Sequence, residues 1–411
     1  MPVDSVNFPF KISISSSYLY KHLLRVSSVI VSKPLLTILD DFLLIIKNDT
    51  MKIVASDNTT TLYSYLSIED GRDIIDKNVS GINIKIAVPN KILLDTLKNL
   101  PEQPLELLYD ANKFVLIIKS ANGKYKIMCD NPDGYPLNEY KKTDKKIVLQ
   151  GKKFIEAIEN TIVVASNEQV KPVLNSVMFE IDSNQLISVA TDMPRLIKYT
   201  VNLSESYDGY TTFIVSKKAV SLLKNILIEE EVFLYIGSEY VKNEAGEAIE
   251  HNKYIYVESG NDIFVSALIQ EEYPDYKKVI PTNYRNKLFI DRLELISALK
   301  RLISFTSAIN FQIKFNISNN KIMLVAEDPN NENDAYEEIM CNYEFQNIMI
   351  SFNVKNLLEI LQIIKTDIIL FAFSEPNPNN ISNKAVIIEP FVKNGEVLNY
   401  NFLALIMPIY M

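Results

Sequence analysis

Apolar and polar positions alternate along this chain in short runs that break at Asn- and Asp-rich turns, and one such phrase occurs three times. Residues 186–199, LISVATDMPRLIKY, carry it in its clearest form: two alternating runs flank a polar corner at Asp192, Met193, Pro194 and Arg195. That pattern predicts two strands joined by a tight turn. The full copies are FLLIIKNDTMKIVASDNTTTLYSYLSI from Phe42, VMFEIDSNQLISVATDMPRLIKYTVNL from Val177 and IKFNISNNKIMLVAEDPNNENDAYEEIM from Ile313. Each holds a strand, a turn, a second strand ending in Val-Ala, and an acidic corner, with Asp57, Asp192 and Glu327 as the corner acids.

Between the hairpins the period lengthens to that of a helix. Leu19, Leu23 and Val26 form one stripe near the amino terminus, behind a strand at residues 10–14, and Phe154, Ile155, Ile158 and Ile162 form its counterpart. These first-type helices are expected to start near residues 16, 151 and 291. A second type, VPNKILLDTLKNL, VSKKAVSLLKNIL and NVKNLLEILQII, is expected to start near residues 89, 216 and 353. The repetition predicts an α+β chain of three similar domains, residues 1–143, 144–283 and 284–411, each made of two half-units of sheet with one helix. Residues 1–10 read as a short extension with no legible role, and residues 69–80 as a polar loop.

Composition changes this picture little, and charge changes it more. The 411 residues are 47% hydrophobic, enough for large cores and about three domains. A net charge of −9 taken alone argues against a nucleic-acid partner. The six expected helices nevertheless sum to +8, which leaves −17 on the remainder. Lysines on the outer face of any single amphipathic helix are ordinary solvated positions. Five of six helices leaning basic in an acidic protein instead suggest one surface suited to a phosphate backbone. Lys21, Arg25, Lys91, Lys217, Lys218 and Arg301 are its candidate contacts.

Catalytic chemistry finds little support. His22 and His251 are the only histidines, and with Cys129 and Cys341 they show no metal-ligand spacing; each reads as a surface or structural residue. Among ten glycines there is no G-x-G-x-x-G, phosphate loop or G-x-S-x-G. The corner acids could be imagined as a metal-binding cluster, but equivalent points of separate repeats should lie apart, each serving its own turn. Two cysteines without framework spacing suggest a reducing compartment, and no window is long and apolar enough to span a membrane. A soluble, cytoplasmic protein without metal or cofactor is expected.

The threefold repeat, ATDMPRL at residues 190–196, YPDYKKVIP at 273–281, FNVKNLLEIL at 352–361 and LIMPIYM at 405–411 together resemble the bacterial sliding clamp, the beta subunit of DNA polymerase III. The resemblance covers essentially the whole chain beyond its first residues. It implies a noncatalytic processivity factor of the DNA polymerase III holoenzyme: a head-to-tail homodimeric ring with helices lining the hole and antiparallel sheets outside. It also implies duplex DNA, the replicative polymerase alpha subunit, a clamp loader and other replication and repair proteins as partners, the proteins docking through a short hydrophobic peptide.

Residue by residue, the resemblance places Leu174, Thr191, Pro194, Arg195 and Leu196 in one wall of the peptide pocket and Pro274, Lys278 and Val279 in the segment beside it. Ala385, Leu405, Ile406, Met407 and Pro408 complete it. An apolar cleft suits such a peptide, with Arg195 orienting it; taken alone, the 405–407 run reads rather as core. Met193 and Pro194 stand where the family often has Gly-His, Lys278 where Arg is common, and Tyr410 near the end is a further departure. The resemblance also implies DNA contact at Lys33 and, within loop 168–173, at Lys171. It places Tyr125, Ile127 and Phe305 at the dimer seam, although Phe305 reads nearly as well as core. The other readings are an open repeat scaffold that binds peptides without encircling DNA and a metal-dependent hydrolase centred on Asp192.

Overall fold

The computed structural model describes residues 10–47, 50–67, 83–137, 143, 146–168, 170–227, 229–242, 248–281, 284–373, 384–393 and 397–409, with side chains 239–252 excepted. The expectations for residues 1–9, for the 69–80 loop, for the His251 side chain and for Tyr410 lie outside them.

The first repeat runs β1 (Phe10–Ser15), α1 (Ser16–Ser27), β2 (Asp41–Lys47), β3 (Thr50–Ser56), β4 (Thr60–Ser67), β5 (Asn83–Pro89), α2 (Asn90–Lys98), β6 (Pro104–Asp110), β7 (Val115–Lys119) and β8 (Lys124–Met128). The second runs β9 (Ile147–Gln150), α3 (Gly151–Thr161), β10 (Ser176–Asp182), β11 (Gln185–Thr191), β12 (Arg195–Asn202), β13 (Tyr210–Ser216), α4 (Lys217–Lys224), β14 (Glu231–Lys242), β15 (Ala248–Ser259) and β16 (Asp262–Ala267). A short helix, α5 (Tyr276–Val279), lies in the connection to the third. The third runs β17 (Asn286–Asp291), α6 (Arg292–Leu302), β18 (Gln312–Ser318), β19 (Lys321–Asp328), β20 (Asn333–Met340), β21 (Ile348–Asn353), α7 (Val354–Ile363), β22 (Ile368–Phe373), β23 (Val386–Phe391) and β24 (Tyr400–Ile406). The order of elements is identical in all three, as the periodicity predicted.

Local chemistry explains the helix starts. The side chains of Ser15, Asp291 and Asn353 accept from the backbone N–H three residues on, at 3.2, 2.8 and 3.0 Å, and Ser216 does the same for Ala219 at 3.2 Å. Each thereby satisfies a donor that the first helical turn cannot. Gly151 opens α3 because a Cβ there would sit 2.2 Å from the Glu229 carbonyl oxygen. At the corners, Asp57 Oδ1 accepts from the backbone of Thr59 and Thr60, and Asp192 Oδ1 from that of Arg195. In the third repeat it is Asp328, not Glu327, whose Oδ1 accepts from Asn330 N at 3.2 Å. Glu327 points away and pairs with Lys314 at 2.8 Å. One residue of offset decides this, because only the residue at the turn reaches its amides.

Packing divides the chain differently from the repeats. One compact unit comprises residues 1–151 and 221–268, the other 152–220 and 269–411. The first contains a four-stranded sheet, β1-β6-β7-β8, and an eight-stranded one, β5-β2-β3-β4-β16-β15-β14-β9. In it α1 packs on α2, β3 and β4, burying Leu19, Leu23 and Val26. The second contains β20-β19-β18-β21 and β13-β10-β11-β12-β24-β23-β22-β17; there α6 packs on α7 and β20. Each eight-stranded sheet is two half-sheets from successive repeats, joined antiparallel through β4·β16 in one unit and β12·β24 in the other.

Candidate functional site

In the second unit the β12·β24 junction builds an apolar floor. Register sets Leu196 opposite Leu405, and both belong to one buried cluster with Ala385, Val189 and Tyr276, against which Val173, Tyr273 and Ile280 pack. Leu174 and Ile406 are buried as well. The rim is apolar yet open: Met193, Val279 and Met407 are 63%, 54% and 39% exposed. The backbone N–H of Met407 donates to Pro194 O at 2.7 Å, tying the carboxy-terminal strand to the corner.

The corner is held from inside. Thr191 Oγ1 accepts from Met193 N at 3.1 Å and donates to Arg195 O at 2.8 Å. Met193 adopts a φ of 83°, a left-handed conformation that disfavours a side chain with Cβ. Arg195 was expected to orient a bound peptide. Its guanidinium is buried instead, with Nε donating to Asp192 Oδ2 at 2.8 Å and Nη1 pairing with Glu359 Oε2 at 2.6 Å and reaching Asn356 O at 3.3 Å. Satisfied by these groups, it braces the corner against α7.

The segment beside the floor, which includes Pro274 and α5, is anchored by groups that sequence reasoning did not single out. Tyr276 Oη donates to Glu180 Oε2 and Lys277 Nζ pairs with Glu180 Oε1, each at 2.9 Å, while Tyr273 Oη donates to Val189 O at 3.3 Å. Burial pushes both tyrosine hydroxyls up from their ordinary values. The available signal was an acid, Glu180, in the middle of the apolar run of β10. Lys278 is exposed and pairs with Asp275 at 2.9 Å; Pro274 is exposed and Pro408 half-buried. Every pocket residue expected from the resemblance lies in this unit.

The basic candidates divide into two groups. Lys21, Lys33 and Lys91 in the first unit, and Lys171 and Lys218 in the second, are exposed. Arg25, Lys217 and the exposed Arg301 are each engaged by another group of the chain. Arg25 pairs with the buried Asp262, Lys217 Nζ donates to Ala165 O at 2.6 Å and Asn167 Oδ1 at 2.8 Å, and Arg301 forms a fork with Glu337 at 2.7 and 2.6 Å. Helical position showed which lysines and arginines leave the core, while their partners come from elsewhere in the chain: strands β16 and β20 for Arg25 and Arg301, and residues 165 and 167 for Lys217. His22 is buried, with Nδ1 2.7 Å from Ser64 Oγ. The cysteines are both free, and burial pushes Cys129 up to about 12 and Cys341 up to about 11, which disfavours the nucleophilic thiolate.

At the expected seam, Ile127 is buried, Tyr125 half-buried and Phe305 39% exposed. Strand β8 is an edge of its sheet, as is β20. Among the described residues no group of three or more His, Cys, Asp or Glu could hold a metal ion, and no helix is long and apolar enough to cross a membrane.

Comparison with known proteins agrees along most of the chain. Residues 10–139, 148–275 and 277–387 match the N-terminal, central and C-terminal domain models of the DNA polymerase III beta subunit. The beta sliding clamp of Pseudomonas aeruginosa is 24% identical over 376 residues, 91% of this chain and 95% of that one; that of Staphylococcus aureus is 27% identical over 80% and 90%. The crystal structure of the Pseudomonas aeruginosa sliding clamp bound to griselimycin superimposes with a TM-score of 0.83 at 22% identity, covering 98% of this chain and 99% of that one. With its three domains matched in order and its fold shared throughout, this chain belongs to the family of bacterial DNA polymerase III beta subunits, the beta sliding clamps.

Proposed function

We propose that this protein acts as a noncatalytic DNA sliding clamp in the cytoplasm, enclosing duplex DNA in a ring of two copies and tethering the replicative polymerase and other partners through the apolar cleft. The observation that carries the reading is the joining rule of the sheets. Strands β16 and β24 are the outer strands of their half-sheets, and each pairs with the outer strand, β4 or β12, of the preceding repeat's half-sheet. Their counterparts β8 and β20 are left as edges.

An unpaired edge is a template for another strand. The two edges are complementary: β8 carries Lys124 and Lys126, and β20 carries Asp334, Glu337 and Glu338. Pairing β8 of one copy with β20 of a second, and the reverse, completes two further eight-stranded sheets and leaves no outer joining strand open. That closure is head-to-tail. Enclosure then replaces affinity. Exposed lysines contact phosphate without demanding sequence, which permits sliding, and the tether raises the effective concentration of a docked partner.

Protein loaded by its clamp loader onto a nicked circular plasmid should be retained at moderate salt and lost when the plasmid is linearised. Reversing the edge charge with Lys124→Glu and Lys126→Glu should shift sedimentation toward the monomer and abolish retention. Equal retention on circle and linear DNA would favour an open scaffold that binds by direct contact. The cleft has its own check. Griselimycin, with which relatives have been crystallised, should bind at least tenfold more weakly to Val279→Asp by calorimetry, with thermal stability unchanged because Val279 lies exposed on the rim.

A further inference from the structure

Each repeat ends in a pair of antiparallel strands, and in the third repeat that pair comes apart. β7 pairs with β8, and β15 with β16, along the full length of β8 and of β16. β23 and β24 pair only from Val386–Ile388 to Ala404–Ile406, which leaves Tyr400–Leu403 of β24 without β23 beside it. Each strand meanwhile keeps its other neighbour: β23 follows β22 as far as Phe391 opposite Ile368, and β24 follows β12 as far as Tyr400 opposite Val201. Pro390 lies where the two part, and it has no N–H to offer a facing strand. Joining the repeats does not require the gap, because the β4·β16 junction adjoins a pair that stays closed.

The gap holds a cavity of about 520 Å³, at the end of the β12·β24 junction opposite to the apolar cleft. Glu389 and Phe391 of β23, Asn202 and Asn401 of β12 and β24, and Val397 and Leu398 of the connection line it. Alternation from Ile387 opposite Leu405 puts Glu389, Phe391 and Asn401 on one face of the sheet. Glu389 is half-buried. Burial pushes its carboxyl up from the ordinary value and Lys287 draws it down, yet among the described residues neither Lys287 nor any other cation forms an ion pair with it. A carboxylate partly withdrawn from water is costly without a cation. Here it stands beside an aromatic ring, two carboxamides and two aliphatic side chains, which together complement a planar cation on an apolar stem. We infer that the cavity receives an arginine side chain from a partner protein. Its guanidinium can fork onto Glu389, lie against Phe391 and donate to the amide oxygens, a combination that the compact ammonium of lysine cannot match.

The test follows the methyl resonances of Val397 and Leu398 in the full-length protein as N-acetyl-arginine amide is added. Saturable shifts at these two residues are expected, with the methyls of Leu405, in the floor of the apolar cleft, left in place. N-acetyl-citrulline amide, which has the same shape without the charge, should bind about tenfold more weakly, and Glu389→Gln should weaken the arginine probe by about the same factor. Asn401→Lys should abolish the response, because it supplies a cation from the chain itself to the same cavity; Asn401 is exposed, so this variant decides the matter if Glu389→Gln fails to fold. No saturable shift at Val397 and Leu398 overturns the inference. So does equal binding of the citrulline probe, an unchanged midpoint in a folded Glu389→Gln, or a response centred on Leu405. N-acetyl-lysine amide binding as tightly as the arginine probe overturns the choice of guanidinium. Neither DNA nor a second copy enters the measurement, so its outcome is independent of the clamp reading.

Discussion

Asp262→Ala should destabilise the first unit by about 3–5 kcal/mol, the loss expected when one partner of a buried charged network is removed. Asp262 is 1% exposed. Its Oδ1 accepts from Ser64 Oγ and its Oδ2 pairs with Arg25. Ser64 is itself fully buried and lies 2.7 Å from His22 Nδ1. Truncation would leave a largely buried guanidinium and weaken the connection of α1 and β4 to β16, a strand that belongs to the next repeat. Far-UV circular dichroism through a urea titration would measure the loss, since the chain has no tryptophan. Arg301→Ala is the control: its fork with Glu337 is exposed to solvent, and such pairs contribute little. Similar small losses in both variants would mean that the Asp262 network is replaced by water without penalty.

Asp41→Asn should have the opposite effect, and only above acidic pH. Asp41 is 3% exposed, and its Oδ2 has no hydrogen-bond partner among the described residues. Burial first, and then the charge of Asp130 and of Asp40, push its carboxyl from 3.8 up to about 7. A folded state that raises an acid in this way favours the neutral form. The penalty is absent below the unfolded value near 4, grows between there and pH 7, and is complete above it. A tenfold change in proton affinity is worth about 1.4 kcal/mol, so the native protein should lose on the order of a few kcal/mol of stability across that window. Asparagine cannot ionise, so the variant should match the native protein near pH 4 and exceed it at pH 8. Parallel stability curves for the two proteins between pH 4 and pH 8 would show that Asp41 titrates normally.

The helix starts illustrate what short-range pattern can reveal. Expected near residues 16, 151 and 291 and near 89, 216 and 353, the helices begin at Ser16, Gly151, Arg292, Asn90, Lys217 and Val354. Each is specified by an apolar stripe, in several cases with a capping side chain, and these act within a turn or two of themselves. The hairpins were legible for the same reason, down to the corner aspartates, except where Glu327 was taken for its neighbour Asp328. The cleft was legible only through resemblance, because its walls come from separated stretches, none of them distinguishable alone from ordinary core.

By itself, then, the sequence determined the local units: which stretches are strands and helices, that they recur three times, and which face of each is apolar. Those properties depend on residues a few positions apart. Tertiary structure alone decided how half-sheets join across repeats, as where Ile263 pairs with Tyr63. It also decided which cations face solvent. Arg25 and Arg195 read as surface or ligand-orienting residues until Asp262 and Glu359, far away in the chain, are brought against them. The physical reason is that a charge is neutralised by whichever group lies within a few ångströms of it, and that distance is set by the packed fold rather than by separation along the chain.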